Sequence, residues 1–316
     1  MARRPSSDGA ACAGGAVASS RLGTVSNRRD STTWRPGVAL PRAEGARAPR
    51  PDILDNPDSA RVARVAGLAR RHARDKYERF LVEGPRGVGE AVRHAAAHVH
   101  DLYLTPEAAD RHADILARAR AAGLYTHTVT PRVMAAMSTD AQGVLAVVAA
   151  DGATGSEALD ALMGATLVAV LAEVQDPGNA GTMIRAADAA GADAVVLVRG
   201  SADATSPKVV RSSAGSLFHL PVVTGVTLAD AVAALHAAGL TVLAADSRGD
   251  LDLFRAEAVL EAPTAWLLGN EAHGLPPEAL SRADAVVSIP VYGRAESLNV
   301  AAAAALCLYA SARAQR

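Results

Sequence analysis

Cysteine and aromatic residues are scarce in this chain of 316 residues, and no apolar run is long enough for a bilayer crossing. The two cysteines, Cys12 and Cys307, give neither a disulfide framework nor a metal-binding spacing, which favours a reducing, cytoplasmic setting. The apolar segment LNVAAAAALCLYASA has about 15 residues where a membrane span needs about 20, so it is predicted to be a buried helix. No secretory signal is recognisable either.

The charge distribution is uneven, although the formal net charge at pH 7 is only -1. Residues 1–50 hold nine arginines against three acidic residues, and residues 61–79 hold seven lysines and arginines against two acidic residues. Basic charge gathered at the front of the chain favours a nucleic-acid partner. A solvated helix face with a disordered tail explains the composition equally well, so composition alone leaves both interpretations open.

Composition and periodicity divide the chain into four parts. Residues 1–50 are rich in Gly, Ala, Ser, Pro and Arg without periodicity, which predicts a disordered extension. Strand and helix patterns alternate over residues 51–150 and predict a small α/β domain, and the polar residues 151–160 predict a linker. In residues 161–316 near-continuous apolar strands alternate with helices, which predicts an α/β domain with a parallel sheet covered on both faces.

Two loops of the second domain carry polar residues directly after buried strands. The first, DPGNAGTMIR, contains Asn179 and Arg185 but has neither the Gly-x-Gly-x-x-Gly spacing of a dinucleotide site nor a P-loop ending. Taken alone, it is explained by ordinary turn chemistry. The second, LLGNEAHGLP, places Gly269, Asn270 and Glu271 at the carboxyl edge of the sheet, where open α/β sheets bind ligands. Polar groups there are costly unless they are used, which favours a function.

A third loop, SIPVYGRAESLNV, leads into the alanine-rich helix, which is predicted to begin near Ser297. Asn299 then falls in the first turn, where asparagine is unfavourable unless its amide has a partner. In this order, Asn-x-Gly-x-x-x-Arg, Gly-Asn-Glu-x-x-Gly and Ile-Pro…Ser-Leu-Asn-Val resemble the SpoU (TrmH-type) branch of the SPOUT class of RNA 2′-O-ribose methyltransferases. The resemblance covers about residues 165–310, and residues 53–150 are similar to that family's small RNA-binding domain of ribosomal-protein L30e type.

The resemblance implies a trefoil-knotted methyltransferase domain that binds S-adenosylmethionine at the carboxyl end of its sheet. It implies that the cofactor pocket contains Gly269, Asn270, Ile289 and Leu298. It also implies a homodimer, because such enzymes complete the active site where two knotted domains meet. No metal is required, and the sequence spacing shows no ligand set for one.

The catalytic residues implied by the resemblance are Arg185, Asn179, Glu271, Ser297 and Asn299. Methyl transfer from a sulfonium to a ribose 2′-oxygen requires an in-line arrangement and removal of the hydroxyl proton. In the family the counterpart of Arg185 is proposed as the base. A guanidinium with a pKa above about 12 is an awkward base. The alternative is that it orients a phosphate and polarises the hydroxyl, and the sequence does not decide between the two.

Ribosomal RNA is the predicted substrate, because an L30e-like domain suits a structured RNA. A tRNA substrate and an RNA-binding protein without activity remain alternatives, and a Rossmann-type oxidoreductase is a weaker one because the dinucleotide motif is missing. Arginines of both domains are predicted to hold RNA phosphates: Arg61, Arg64, Arg70, Arg71, Arg74, Arg79 and Arg211. For Arg211, a place on a solvated helix surface without RNA contact is an equally good interpretation.

Overall fold

The computed structural model describes residues 53–150, 154–270 and 272–316. The extension predicted for residues 1–50, and the first part of the linker predicted for 151–160, lie outside these ranges. Within them, every helix is too short or too polar to cross a membrane. The domain boundaries stay a prediction, but Ser156–Leu162 form a 3₁₀ helix where a linker was expected.

The first half of the described chain folds around a four-stranded mixed sheet. Its strands are β1 (Arg79–Glu83), β2 (Val99–Leu104), β3 (Tyr125–Thr128) and β4 (Val144–Ala149). Its helices are α1 (Ala60–Gly67), α2 (Arg71–Tyr77), α3 (Gly84–His94), α4 (Pro106–Arg111), α5 (Ala113–Ala121) and α6 (Pro131–Met137), with a 3₁₀ turn at Ala96–His98. The strand order is β1-β4-β2-β3, with β4 antiparallel to β1 and β2, and β2 parallel to β3.

The central strand β4 is apolar on both faces because helices cover both. Leu145 and Val147 of β4 face the apolar residues of α1 and α6, whereas Ala146 and Val148 face those of α3 and α5. The alternation follows from the period of two in a β-strand. It places the basic helix α1 on one outer layer of the fold.

Two short helices, α1 and α2, open this region, with a break between them at residues 68–70. Ser59 caps α1, and its hydroxyl accepts a hydrogen bond from the Val62 amide. The break follows because the Arg74 guanidinium donates to the carbonyls of Leu68 and Ala69, at 3.0 and 2.9 Å, and so takes acceptors that a continuing helix would use. A second break, at His112, separates α4 from α5.

The second half is built on a seven-stranded sheet in which every pairing is parallel. Its strands are β5 (Leu167–Leu171), β6 (Ala194–Val198), β7 (Val222–Val226), β8 (Thr241–Ala245), β9 (Leu251–Asp252), β10 (Thr264–Leu268) and β11 (Ala285–Ser288). Its helices are α7 (Pro177–Ala190), α8 (Pro207–Ser213), α9 (Leu228–Ala237), α10 (Glu257–Leu260), α11 (Pro277–Arg282) and α12 (Val300–Ala314), with further 3₁₀ turns at Ser216–Phe218 and Leu253–Arg255.

The predicted parallel sheet with two covered faces is confirmed. In β5, Val168 and Val170 belong to the apolar cluster that contains α9 and α11, while Leu167, Ala169 and Leu171 belong to the cluster of α7 and α12. Alanine side chains such as Ala169, Ala180 and Ala187 allow helix and sheet to approach closely. The strand order, β7-β6-β5-β10-β8-β11-β9, brings the carboxyl ends of β5, β10, β8 and β11 side by side.

Candidate active site

The three polar loops predicted from the sequence lie at one edge of the seven-stranded sheet. They follow β5, β10 and β11, whose carboxyl ends point the same way because the strands are parallel. Crevices outside the carboxyl ends of parallel strands are the usual ligand sites of open α/β sheets. Hydrogen bonds join the first loop to the third and the second loop to the first.

The first loop is shaped by Asp176, which caps α7. Its side chain accepts from the Asn179 amide at 2.8 Å. This backbone hydrogen bond, together with Lys208 at 3.3 Å, holds the pKa of the Asp176 carboxyl below its usual value. Because aspartate provides the cap, Asn179 is the third residue of the helix rather than its cap, and its side-chain amide is left for other contacts.

Asn179 connects the first loop to the third. Its Oδ1 accepts a hydrogen bond of 3.1 Å from Nδ2 of Asn299. The Asn299 Oδ1 accepts in turn from the backbone amides of Ala301 and Ala302, at 2.9 and 3.3 Å. These donors fix the orientation of the Asn299 amide, since only its oxygen can accept them.

The last helix therefore begins later than predicted. Asn299 is its N-cap and Val300 its first residue, so Ser297 lies outside the helix. Asparagine is among the preferred N-caps because its side-chain oxygen satisfies the free amides of the first turn. The Asn299 amide thus has the partners that the sequence predicted it would need. Its nitrogen donates to Asn179, and its oxygen accepts from the amides of Ala301 and Ala302.

The second loop is tied to the first by Asn270. Its Nδ2 donates to the Glu173 carbonyl at 2.9 Å, and its Oδ1 accepts from the amides of Ala272 and His273. Glu173 itself has a backbone φ of 61°, in the left-handed region that non-glycine residues rarely adopt and that often marks functional sites. The Asn270 side chain thus shapes the loop. Glu271, assigned to catalysis, lies outside the described residues.

Gly269 allows the second loop to fold back on itself. A Cβ at this position would lie 2.5 Å from the backbone carbon of Gly274 and the nitrogen of Leu275. Asn270 and Gly274 exchange two backbone hydrogen bonds of 2.9 Å across the turn. Glycine is required here because the backbone closes on itself, which leaves main-chain groups at the edge of the sheet.

The third loop is open to solvent over residues 291–298, and no described residue makes a hydrogen bond with these eight. Leu298 is 40% exposed, and Ile289 is half-buried at the edge of the core. Apolar side chains and unpaired main-chain groups therefore lie together beside α12. Ser297 is exposed, and no described contact connects it to Asn179 or Asn299.

Arg185 is exposed on α7 and pairs with none of the described residues. It follows Asn179 by six residues, which on an ideal helix corresponds to about 9 Å along the axis and about 120° around it. No described contact joins Arg185 to Asn179, so the shared role of the two residues stays a prediction.

Asp246, which follows β8 between the second and third loops, was not predicted from the sequence. Hydrogen bonds from Arg248 hold the pKa of its carboxyl below the usual value. A Cβ built on Gly274 would lie 3.7 Å from the Asp246 Oδ2, so the carboxylate borders the second loop. An acidic residue directly after a buried strand was the available signal, the same one that marked Asn270.

The predicted RNA-binding arginines fall into different groups. Arg61, Arg64 and Arg79 line a cavity of about 200 Å³ whose floor contains Tyr103 and Asp101. Burial alone would raise the pKa of Asp101, but a hydrogen bond with His127 and the charges of Arg61 and Arg79 lower it. Three guanidinium groups face one carboxylate, so the cavity is net positive. Two further members of the predicted set are exposed on the surface, Arg70 and Arg71.

The prediction that Arg74 holds an RNA phosphate does not agree with its place in the structure. Its side chain is only 4% exposed and pairs with Asp203 at 2.6 Å, in addition to its bonds to two backbone carbonyls. Burial alone would raise the pKa of Asp203, but hydrogen bonds from Arg74 and Thr205 hold it below its usual value. Arg74 joins the two halves of the described chain and is not free to hold an RNA phosphate.

Arg211, like Arg74, lies where the two halves of the described chain are in contact. It forms ion pairs with Glu83 and Asp140, the second at 3.1 Å, and its side chain is partly exposed. Both carboxylates belong to the first half of the chain, whereas Arg211 lies on α8 of the second. The structure thus gives Arg211 a role in joining the halves, and its contact with RNA stays a prediction.

A covered parallel sheet with polar loops gathered at one edge defines an α/β ligand-binding domain, here preceded by a basic α/β module. Residues 166–309 match the SpoU rRNA Methylase family, and residues 59–146 match the MRM3-like substrate binding domain. The chain is 35% identical over 261 residues to the 23S rRNA (guanosine(2553)-2′-O)-methyltransferase RlmP of Bacillus subtilis, covering 80% of this chain and 97% of that protein.

Solved structures show the same family resemblance. An AdoMet-bound rRNA methyltransferase from Sinorhizobium meliloti superposes with a TM-score of 0.70 at 29% identity, covering 83% of this chain and 97% of the other. The SpoU methyltransferase AviRb from Streptomyces viridochromogenes, in complex with AdoMet, gives a TM-score of 0.69 at 32% identity, covering 81% and 98%. The chain belongs to the SpoU rRNA methylase family, and it has the family's parallel-sheet methyltransferase fold with an N-terminal substrate-binding domain.

Proposed function

We propose that this chain is an S-adenosylmethionine-dependent 2′-O-ribose methyltransferase of 23S ribosomal RNA. The observation that carries the proposal is the hydrogen bond between Asn179 and Asn299, which joins the first and third motifs across the edge of the sheet. The bond from Asn270 to the Glu173 carbonyl joins the second motif to the same place. The relatives named above act on rRNA, and two solved neighbours bind the same cofactor.

The loops fit S-adenosylmethionine by their chemistry. Gly269 presents backbone rather than a side chain, and the third loop offers main-chain groups that no described residue pairs. Ile289 and Leu298 offer apolar surface beside them, which suits a flat adenine ring held by a few polar contacts. The bound cofactor would supply a methyl group already activated on a sulfonium.

In this proposal, the polar residues position the RNA. Asn179 and Asn299 hold each other in one geometry, so either amide can bind the ribose without first losing rotamer freedom. Arg185 orients a phosphate and polarises the 2′-hydroxyl, since a guanidinium stays protonated near neutral pH. Ser297 and Glu271 complete the set as predictions from the family motif.

We also propose that the active site is shared between two copies of the chain. Arg185 is exposed on α7 and pairs with none of the described residues. Large apolar side chains are exposed on the third loop and on α12 beside it: Val291, Tyr292, Leu298, Leu306 and Tyr309. A contiguous exposed apolar patch marks an interaction surface. Covering it with the same patch of a second copy would form a closed, two-fold dimer. The trefoil knot and the cytoplasmic location remain predictions.

The proposed RNA-binding surface of the first domain is the cavity around Tyr103. Its arginines, Arg61, Arg64 and Arg79, supply positive charge, and Tyr77 supplies exposed aromatic surface. Loss of phosphate contacts reduces both affinity and its salt dependence. The variant Arg61→Ala/Arg64→Ala is expected to weaken rRNA binding with a shallower salt slope. Arg118→Ala/Arg120→Ala, on α5, is the control, and equal affinities of the two variants would contradict this surface.

Mapping of 2′-O-methylation across cellular 23S rRNA and tRNA, with and without the gene, tests the proposed function. One ribose methyl of 23S rRNA is expected to disappear and to return with the wild-type gene but not with Asn299→Ala. Loss of a tRNA methyl instead would support the tRNA alternative. If no ribose methyl is lost, the proposal of an active rRNA methyltransferase is wrong, and an RNA-binding protein without activity becomes the better interpretation.

A heterodimer tests the shared site. Arg185→Ala and Asn299→Ala chains, each with a different affinity tag, are co-expressed and the mixed dimer is purified through both tags. If each site uses Arg185 of one copy and Asn299 of the other, one of the two sites is intact and about half of the wild-type activity returns. If both residues come from one chain, every site carries a substitution and the mixed dimer is inactive, which contradicts the shared site.

A further inference from the structure

Two histidines and a glutamate meet where the two halves of the described chain are in contact. Glu90 and His94 lie one turn apart on α3, and His219 follows the 3₁₀ turn at Ser216–Phe218. Their ligand atoms all lie within 4.8 Å of one another. Both histidine Nε2 atoms point at the same Glu90 oxygen, Oε2, at 3.3 Å from His94 and 3.1 Å from His219.

We propose that Glu90, His94 and His219 form a binding site for Zn²⁺, with water as the fourth ligand. Zinc takes imidazole nitrogen and carboxylate oxygen at about 2.0–2.2 Å in a tetrahedron, whose edges are then about 3.3 Å long. The two nitrogen–oxygen separations have that length. The separation between the two histidine nitrogens is bounded at 4.8 Å, so binding one ion would draw the two imidazole rings towards each other.

The surroundings of His219 fit this role. Its Nδ1 lies 2.8 Å from the Asp188 Oδ2, while its Nε2 faces Glu90. A metal-bound histidine commonly donates its other ring nitrogen to a carboxylate in this way. Asp188 comes from α7 of the second half, so it orients the ring from a third element.

The charges around the cluster are compatible with a cation. Arg93 is the nearest positive group, and it binds the other oxygen of Glu90, Oε1, so it leaves Oε2 in place. Glu90 and Asp188 together outweigh the charge of Arg93. All three ligands are partly exposed, so an ion has a path to them.

The site would add a metal link to the ion pairs of Arg74 and Arg211 that already join the two halves of the described chain. The segment that carries His219 also contains Phe218, whose ring stacks on Phe80 of β1 at 6.4 Å. A metal linking α3 to this segment would fix the RNA-binding domain relative to the methyltransferase domain. The sequence could not show it, because two ligands are separated from the third by more than a hundred residues.

Zinc binding to the full-length protein, stripped of metal by a chelator and dialysed, tests the site. Titration with Zn²⁺ at about pH 7.5 against a chromophoric chelator is expected to show one ion per chain. His94→Ala and His219→Ala are each expected to weaken binding at least about tenfold. His236→Ala is the matched control, since His236 pairs with one exposed carboxylate, Asp284, and its substitution leaves the affinity unchanged.

Co²⁺ used as a probe should give the intense visible absorption of a tetrahedral ion in the wild type and lose it in His94→Ala. Circular dichroism checks that each variant is folded, and Glu90→Gln, which keeps the shape of the side chain, provides a third variant that does not remove a ring. Wild-type protein that takes up no Zn²⁺, or whose affinity is unchanged by both histidine substitutions, would overturn the proposal.

Discussion

The substitution Arg74→Ala tests whether Arg74 stabilises the fold rather than binding RNA as its neighbours are predicted to do. The substitution removes the ion pair with Asp203 and the donors to the Leu68 and Ala69 carbonyls. Breaking a buried pair from one side costs about 3–5 kcal/mol, because the remaining charge is left buried. Asp203 is 20% exposed and keeps its bonds from Thr205, so the lower end applies, and we expect a loss of about 3 kcal/mol.

Urea denaturation of the full chain, followed by circular dichroism, measures this loss. Arg71→Ala is the matched control on the same helix: its side chain is 75% exposed and lies 3.7 Å from Asp75. Exposed pairs contribute little, so this change should cost less than about 0.5 kcal/mol. Equal stability of the two variants, with RNA affinity reduced only in Arg74→Ala, would refute the structural role and restore Arg74 as a phosphate ligand.

Three further predictions concern the site and the pH dependence. Asn299→Ala should abolish methyl transfer, whereas Thr227→Ala, which removes the N-cap of another helix at a similar cost of about 1 kcal/mol, should keep it. Gly269→Ala should weaken S-adenosylmethionine binding in calorimetry, because its Cβ would meet backbone atoms at 2.5 Å, whereas Gly67→Ala should not. Asp203 has a depressed folded-state pKa, so its stabilisation is complete above its unfolded value of about 3.9 and is lost as the pH falls through the folded value; urea midpoints should drop more steeply in acid for the wild type than for Arg74→Ala. Equal activity, equal affinity or equal acid slopes in the paired proteins would contradict these expectations in turn.

The architecture could be predicted because it follows from local patterns of apolar and polar residues. Apolar strands such as LVAVL and AVVLV, separated by helical periods, predicted the covered parallel sheet that the structure has. Helix ends were less predictable where long-range contacts decide them. The break after α1 depends on the guanidinium of Arg74, which local propensity does not include.

The candidate site was predicted in outline. The motif order indicated that three loops serve one site, and the structure joins them through Asn179, Asn270 and Asn299. The distances between positions 120 residues apart could not be read from the sequence, and neither could the exposed place of Arg185. The cluster of Glu90, His94 and His219 has no sequence spacing that indicates a metal.

Methyl transfer by the purified protein tests the central claim most directly. The chain is incubated with unmodified 23S rRNA and S-adenosylmethionine carrying a labelled methyl group, and the product is digested to nucleosides. We predict label on the 2′-oxygen of one nucleotide with the wild type and none with Asn299→Ala. Label on a base, no label at all, or full activity of Asn299→Ala would contradict the account.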